Sequence, residues 1–392
     1  MSRRELFDVV VVGAGVVGAA AALAFARDGL QVALVEAREP PPWRRDEPDL
    51  RVYAFAPDNA ALLDDLGVWR DIRAARVQPY RRMQVWDAAG GGELAFDADA
   101  FGRRELGWIV ENGLLVDRLW AALPAAGVQL HCPEEVVALE QDDSSASVQL
   151  ASGRRLRARL VVAADGAQSR LRELAGIETR EHDYTQRGLV AFIDTAEPHR
   201  DTCYQRFLPT GPLAFLPFAD GRSSIVWTLP DAEAQRLLQL DALDFLRELE
   251  AAFAGTLGEL RAISARAAFP LRRRLAKDYV AGRVVVVGDA AHVVHPLAGQ
   301  GVNLGLRDIA ALRTTLQRQS ARNADIASAH ALRRWAREQR SQNARAAFAF
   351  EGLNRLFSND ALLPTVLRGP LLGLVGRLPP LTHAFWREAA GL

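Results

Sequence analysis

The sequence predicts a mixed α/β chain in which a parallel-sheet domain, assembled from separated pieces, is interrupted by a largely antiparallel sheet and followed by helices. Three observations predict it. A glycine-rich turn, Gly13-Ala14-Gly15-Val16-Val17-Gly18, lies between a β-branched run and an alanine-rich run near the N-terminus. Two later apolar runs, 160–163 and 283–287, lead into Asp165-Gly166 and Gly288-Asp289. Between these, residues 186–228 change to short alternating runs parted by turn residues, the pattern of an antiparallel sheet with two different faces.

In chain order, residues 8–12 are β-branched and predict a strand, 16–27 are alanine-rich and predict a helix, and 31–36 are apolar again, completing one βαβ unit. The proline-rich stretch 40–48 predicts a surface excursion, after which 58–66 resumes a helical pattern. Alternating runs at 83–87 and 93–97 flank 88–92 and predict a hairpin projecting from the main body. A helix is expected over 114–123, then strands at 128–131, 136–140, 147–150 and 160–163, with Ser152-Gly153 turning a meander. The alternating strands are 188–193, 204–208, 213–217 and 223–228, followed by a helix at 243–253 and a return strand at 265–270. Strand 283–287 and helices at 302–318 and 328–356 complete the reading. The expected division is a Rossmann-like domain of residues 1–79, 103–178 and 270–345, an inserted sheet domain of 80–102 and 179–269, and a C-terminal helical segment of 346–392.

A chain of 392 residues with 49% apolar composition can bury a large core divided between about two domains. The 48 basic and 48 acidic residues cancel, so no overall field favours nucleic acid. Lys277 is the only lysine, and an arginine- and alanine-heavy composition of this kind reads as codon bias, which weakens any argument from arginine clusters such as 272–274; these are read as solvated faces, with contact to the phosphates of a nicotinamide donor as the functional alternative. Cys132 and Cys203 have no metal-ligand spacing and imply no disulfide framework. The apolar run 9–26 resembles a signal peptide or membrane span in composition, but glycines at fingerprint spacing interrupt it and Glu5 and Asp8 stand where a basic flank belongs. The expected location is cytoplasmic, or peripheral to the inner membrane. The apolar, Pro- and Gly-punctuated segment 361–381 is read first as a tail packed over the body, and otherwise as a surface for a partner protein or membrane edge.

The glycine turn carries chemistry as well as shape. Gly13 makes the tight turn, Gly15 lets backbone approach a pyrophosphate, and Gly18 permits close helix–strand packing; unpaired N–H groups and the helix dipole attract the phosphates. Glu36, ending the second strand, is placed to accept hydrogen bonds from a ribose. His292 and His295 lie three apart, yet no third ligand completes a metal site, so no metal is expected.

The segment from Leu160 to Arg172, with Asp165, Gly166, Ser169 and Arg170 after a buried strand, resembles the Asp-Gly motif of flavoprotein aromatic hydroxylases related to p-hydroxybenzoate hydroxylase. Arg283 to His292 resembles the Gly-Asp motif of the same family. The run His295-Pro296-Leu297-Ala298-Gly299-Gln300-Gly301-Val302-Asn303-Leu304-Gly305-Leu306-Arg307-Asp308, together with Phe357-Ser358-Asn359-Asp360 and Arg377-Leu378-Pro379-Pro380-Leu381, resembles the ubiquinone-biosynthesis ring hydroxylases of bacteria and mitochondria. The likeness spans essentially the whole chain and is weakest over the strands between 186 and 228.

This resemblance implies FAD, with NAD(P)H as electron donor, and oxygen adding at the flavin C4a before hydroxyl transfer to a phenolic ring. It implies cofactor contacts at Gly13, Gly15, Gly18, Glu36, Arg51, Asp165, Gly288, Asp289, Gly301, Val302 and Asn303, with Asp289 on the ribityl hydroxyls and Arg51 on the flavin side. Pro296, Gly299 and Gln300 are implied at the face where oxygen reacts, and His295 borders the substrate as a candidate base. The implied substrate is a polyprenylated phenol or quinol, held in a tunnel lined by Leu, Val, Phe and Trp of the inserted sheet and emerging near the apolar C-terminal segment. Two alternatives stay open: a hydroxylase of a small soluble aromatic metabolite, and a flavin-binding scaffold subunit with little turnover in a lipid-biosynthesis complex.

Overall fold

The computed structural model describes residues 6–88, 92–294 and 300–357, excepting the side chains of 300 and of 349–357. Strand Leu6–Val12 lies at the centre of a parallel sheet, with Arg155–Ala163 on one side and Val32–Val35 on the other. Val284–Val286 pairs in parallel beyond Arg155–Ala163, and Gln129–His131 beyond Val32–Val35. Residues 9–12, 32–35, 160–163 and 284–286 are continuous Val, Leu and Ala because both faces are covered there, as parallel sheets require. Helix Val16–Arg27 buries Ala19 to Ala24 completely or nearly so; its small side chains let it lie close on the sheet.

A second sheet, largely antiparallel, runs in the order His292–Val293, Ala267–Ala276, Thr179–Thr195, Ser223–Pro230, Gly211–Pro217, Thr202–Leu208, Arg82–Asp87, Glu93–Asp97. Its outer face packs on helices Asp231–Gln239 and Ala242–Phe253, where Phe215 stacks on Phe253 at 3.7 Å between centroids. A small third sheet, Val52–Phe55, Gly107–Glu111 and Gln78–Tyr80, adjoins it through a cluster that includes Tyr80, Ile109, Phe192 and Phe218.

Four expectations need correction. The hairpin at 82–97 does not project; Arg82–Asp87 pairs in parallel with Thr202–Leu208 and extends the second sheet, because Met83 shares a register with Cys203 on the buried face. The return strand does not stop at 270 but runs through Ala276, so the expected domain boundary falls inside one strand. Arginines 272–274 are part of it and are not a uniformly solvated run: Arg272 is exposed, whereas Arg274 is buried and ion-paired with Glu181 at 2.7 Å. A run of charges masks the period-2 signal by which a strand is read. Helix Ala329–Phe357 likewise spans the expected boundary at 346. Residues 358–392, including the C-terminal motifs, lie outside the described residues. Among the described residues no helix is long and apolar enough to cross a membrane, and residues 9–26 fold as strand, turn and helix.

Candidate cofactor and substrate site

Chain order reverses across Leu6–Val12: the next strand in sequence pairs on one edge and Arg155–Ala163 on the other. Ligands bind at such switch points because the flanking loops diverge and leave a crevice at the strands' carboxyl ends. Here the loops after Val12, Ala163 and Val286 meet there, and a cavity of about 550 Å³ opens between them and the antiparallel sheet. Gly15, Val16, Val17, Ala164, Gly166, Val287 and Asp289 contribute to its wall, joined by Gly301 and Val302 at the start of helix Gln300–Ser320.

Gly15 caps helix Val16–Arg27 with no side-chain hydrogen bond, and the first turn carries no acidic residue, so its amides remain available to an anion. A Cβ on Gly15 would meet nothing within 4 Å, whereas one on Gly18 would stand 1.9 Å from the Gly13 carbonyl oxygen. Gly15 therefore leaves room for a ligand, and Gly18 leaves room for the loop itself. Glu36 is held beside this loop by its own carboxylate: Oε2 accepts from Ala14 N at 2.6 Å and Oε1 from Arg38 N at 3.1 Å. An open helix N-terminus flanked by one carboxylate at a strand end, with Asp289 in the cavity wall, fits the pyrophosphate and hydroxyl groups of a dinucleotide such as FAD.

Asp165 sits behind the cavity wall and is not part of it. Its Oδ2 accepts from Leu171 N at 3.0 Å, while Oδ1 is buried without a hydrogen bond; burial raises the carboxyl above its ordinary value despite the backbone donors. Arg172, also buried, donates to the carbonyls of Ala167 at 3.2 Å and Ala290 at 3.0 Å and so ties the Asp-Gly loop to the Gly-Asp turn. Burial, and then the neighbouring Arg274 charge, lower its pKa. Gly288 has φ of +57° and donates its N–H to Asp308 Oδ2 at 3.0 Å, which fixes the turn that presents Asp289. Asp308 also receives His292 Nε2 at 2.6 Å and Asn343 Nδ2 at 2.8 Å, so His292 supports the turn from within the protein.

Asn303 is fully buried, and its side chain is spent on protein. Oδ1 accepts from Ala56 N at 3.0 Å and Asn59 Nδ2 at 2.9 Å, and Nδ2 donates to Ala54 O at 2.8 Å. It fastens helix Gln300–Ser320 to strand Val52–Phe55, while Gly301 and Val302 line the cavity from this segment. Arg51 reaches the cavity from the end of the proline-rich excursion, with its guanidinium 5.7 Å from the Tyr53 ring centroid. His295, Pro296 and Gly299 lie outside the described residues, as does the side chain of Gln300.

Several wall residues escaped the sequence reading. Tyr53 and Asn112 line the cavity, with the Tyr53 hydroxyl donating to Asn112 Oδ1 at 3.1 Å. Burial pushes the Tyr53 phenol up to about 12, against the nearby Arg51 charge, so it stays protonated. The β-branched and aromatic run Val52-Tyr53-Ala54-Phe55 was the available signal for this strand. The far wall, from the antiparallel sheet, includes Gly188, Val190, Leu216, Val226 and residues 269–272 of strand Ala267–Ala276. Alternation puts Trp227 on the opposite face, against Phe245, so among the described residues no tryptophan joins this wall, contrary to expectation.

The FAD binding domain model matches residues 7–344 of the chain. The chain is 38% identical to a 3-demethoxyubiquinol 3-hydroxylase of Escherichia coli, with 86% of each chain covered. It is 37% identical to a ubiquinone hydroxylase of Rhodospirillum rubrum, covering 100% of this chain and 91% of that one. It is 33% identical to a mitochondrial ubiquinone biosynthesis monooxygenase of Danio rerio, covering 97% and 89%. In fold it is similar to the p-nitrophenol 4-monooxygenase of Pseudomonas putida, with TM-score 0.77, 19% identity and coverage of 98% and 97%. It is likewise similar to a probable FAD-dependent monooxygenase of Pseudomonas aeruginosa, with TM-score 0.76, 24% identity and coverage of 91% and 97%.

Proposed function

Because the chain belongs to the FAD binding domain family and, within it, to the flavoprotein hydroxylases of ubiquinone biosynthesis, we propose that it hydroxylates the aromatic ring of a polyprenylated phenol or quinol intermediate. FAD, reduced by NAD(P)H, supplies the redox and oxygen chemistry when bound. The protein's own residues bind, orient and exclude water. In this reading the amides at Gly15, Val16 and Val17 hold the pyrophosphate, Glu36 the adenosine ribose and Asp289 the ribityl hydroxyls. Arg51 lies on the flavin side, and the first turn of helix Gln300–Ser320 aims N–H groups at the pyrimidine edge, where its dipole favours negative charge. Pro296, Gly299, Gln300 and His295 are proposed at the reacting face, with Asp165, Gly288 and Asn303 holding the loops behind it.

The observation that carries the substrate assignment is the far wall: from the antiparallel sheet it offers chiefly Val190, Leu216, Val226, Phe269 and Leu271, and the charged side chain beside them, Arg272, is ion-paired with Asp183. With the Arg272 charge already paired to Asp183, a small acidic phenol gains little from this wall, whereas a prenyl chain gains about 0.8 kcal/mol per buried CH₂. Phe269, 51% exposed, stands at this wall and gives the apolar path a hydrophobic mouth, which supports contact with a membrane edge for loading an insoluble substrate.

The test is deletion of the gene in a strain without a redundant hydroxylase, with quinone intermediates profiled. The expected result is lowered ubiquinone and accumulation of a prenylated ring lacking one hydroxyl. Normal ubiquinone, with efficient turnover of a short soluble phenol by the purified protein, overturns the substrate class. Bound FAD without oxygen consumption dependent on NAD(P)H and substrate would instead point to a scaffold.

A further inference from the structure

Arg76 joins three parts of the molecule around the site without facing the cavity. It follows helix Trp69–Ala75 in extended backbone, and its side chain is only 9% exposed. Nε and Nη2 donate to the two oxygens of Glu111 at 2.7 and 2.8 Å, and Glu111 is fully sealed from solvent. Nη1 donates to the carbonyl of Arg45. The guanidinium carbon also lies 5.1 Å from the Trp43 ring centroid and 5.3 Å from that of Phe218.

These partners belong to different pieces. Trp43 and Arg45 are in the proline-rich excursion, where residues 36–51 form neither helix nor strand. Phe218 follows strand Gly211–Pro217, whose Leu216 lines the cavity, and Glu111 ends strand Gly107–Glu111. Glu111 Oε1 also accepts from Asp49 N at 2.9 Å. Asp49 in turn accepts from Arg51 N at 2.9 Å through Oδ1 and from Gly113 N at 3.0 Å through Oδ2. One buried carboxylate therefore holds Arg76 and, through Asp49, the two cavity residues Leu50 and Arg51.

A buried ion pair gains little stability over apolar side chains of the same volume. What this one supplies is a planar, bidentate joint with a fixed geometry, which lysine does not reproduce. We infer that Arg76 is a positioning residue: gripped by Glu111 and packed against Trp43 and Phe218, it holds the proline-rich loop on the antiparallel sheet and thereby sets where Leu50 and Arg51 stand at the cofactor cavity. Arg76 acts through the loop and touches none of the reacting atoms.

The experiment uses the full chain loaded with FAD and does not depend on which phenol is the substrate. Arg76→Lys keeps the charge but loses the fork and the flat face. Trp43→Leu removes the loop's half of the contact and leaves the Arg76–Glu111 pair in place. Limited trypsinolysis, read by mass spectrometry, reports opening at the exposed Arg44 and Arg45; both variants should be cut there about tenfold faster than the parent. The FAD dissociation constant should rise by about fivefold in both, the size of a modest coupling between sites. The thermal midpoint of the apoprotein is measured alongside. If either variant loses thermal stability while loop cleavage stays at the parent rate, or if loop cleavage rises in both with FAD affinity unchanged, Arg76 is a stabilising residue only and the inference is overturned.

Discussion

His292 Nε2 stands 2.6 Å from Asp308 Oδ2, with both side chains completely shielded from water. The same carboxylate oxygen accepts the Gly288 N–H, so the pair clamps the turn that presents Asp289 to the cavity. Burial alone would lower the imidazole pKa; the Asp308 charge and hydrogen bond, followed by the Asp289 charge, outweigh it and the net shift is upward.

The sign of the pH dependence follows. A folded-state value raised above the unfolded one, ordinarily near 6.5, gives stability that is fully present below that pH and is lost as pH climbs through the raised folded value. His292→Gln keeps a donor toward Asp308 but cannot titrate. Urea unfolding of the apoprotein should show it destabilised by about 1–3 kcal/mol at pH 6 and by less at pH 9. A difference that is flat with pH would mean that folding leaves the His292 pKa unshifted.

Gly15→Ala and Gly18→Ala should separate binding from folding. The first places a methyl in open space at the helix N-terminus, so apoprotein stability should change by less than about 1 kcal/mol while FAD affinity falls at least tenfold. The second drives a methyl into the Gly13 carbonyl oxygen and should yield poorly folded protein. Equal stability of the two in thermal melts would show that the loop does not hold the geometry described.

Asp289→Ala removes a cavity-facing carboxylate, and Asn303→Ala removes a buried staple. Asp289→Ala should weaken FAD by about 0.5–1.5 kcal/mol per lost hydrogen bond with the apoprotein melt unchanged. Asn303→Ala leaves the buried groups of Ala54, Ala56 and Asn59 without these partners and should cost about 2–3 kcal/mol of folding stability. Calorimetry with and without FAD distinguishes them; the reverse pattern would exchange the two roles.

Val226→Thr tests the far wall with little change in volume. A hydroxyl in that apolar surface should raise KM for a prenylated phenol through about 1–3 kcal/mol of lost affinity and leave FAD titration unaltered. An unchanged KM would place the chain elsewhere in the protein.

Much of this architecture was legible beforehand because it rests on local rules. The glycine spacing, the β-branched runs before Gly13, Asp165 and Gly288, and the alternation across 186–228 each follow from backbone geometry within a few residues. The hidden parts share one property, which is that distant partners decide them. Ala267–Ala276 reads as polar because its arginines find Asp183 and Glu181 across the sheet. The strand carrying Tyr53 is short, and its place is fixed by pairing with Gly107–Glu111, more than fifty residues on.

By itself, then, the sequence determined the order of the nucleotide-binding turns, the parallel core and the kind of chemistry they serve, because glycine spacing and side-chain period act over one or two elements. Tertiary structure alone decided which polar side chains serve the cavity and which serve the fold. Asn303 and Asp289 look equally suited to a cofactor in the linear chain, yet Asn303 is buried against Ala54, Ala56 and Asn59, while Asp289 stands in the cavity wall. The reason is that a hydrogen-bonding group is spent on whatever neighbour folding brings within about 3 Å, and for these residues those neighbours come from parts of the chain far apart in sequence.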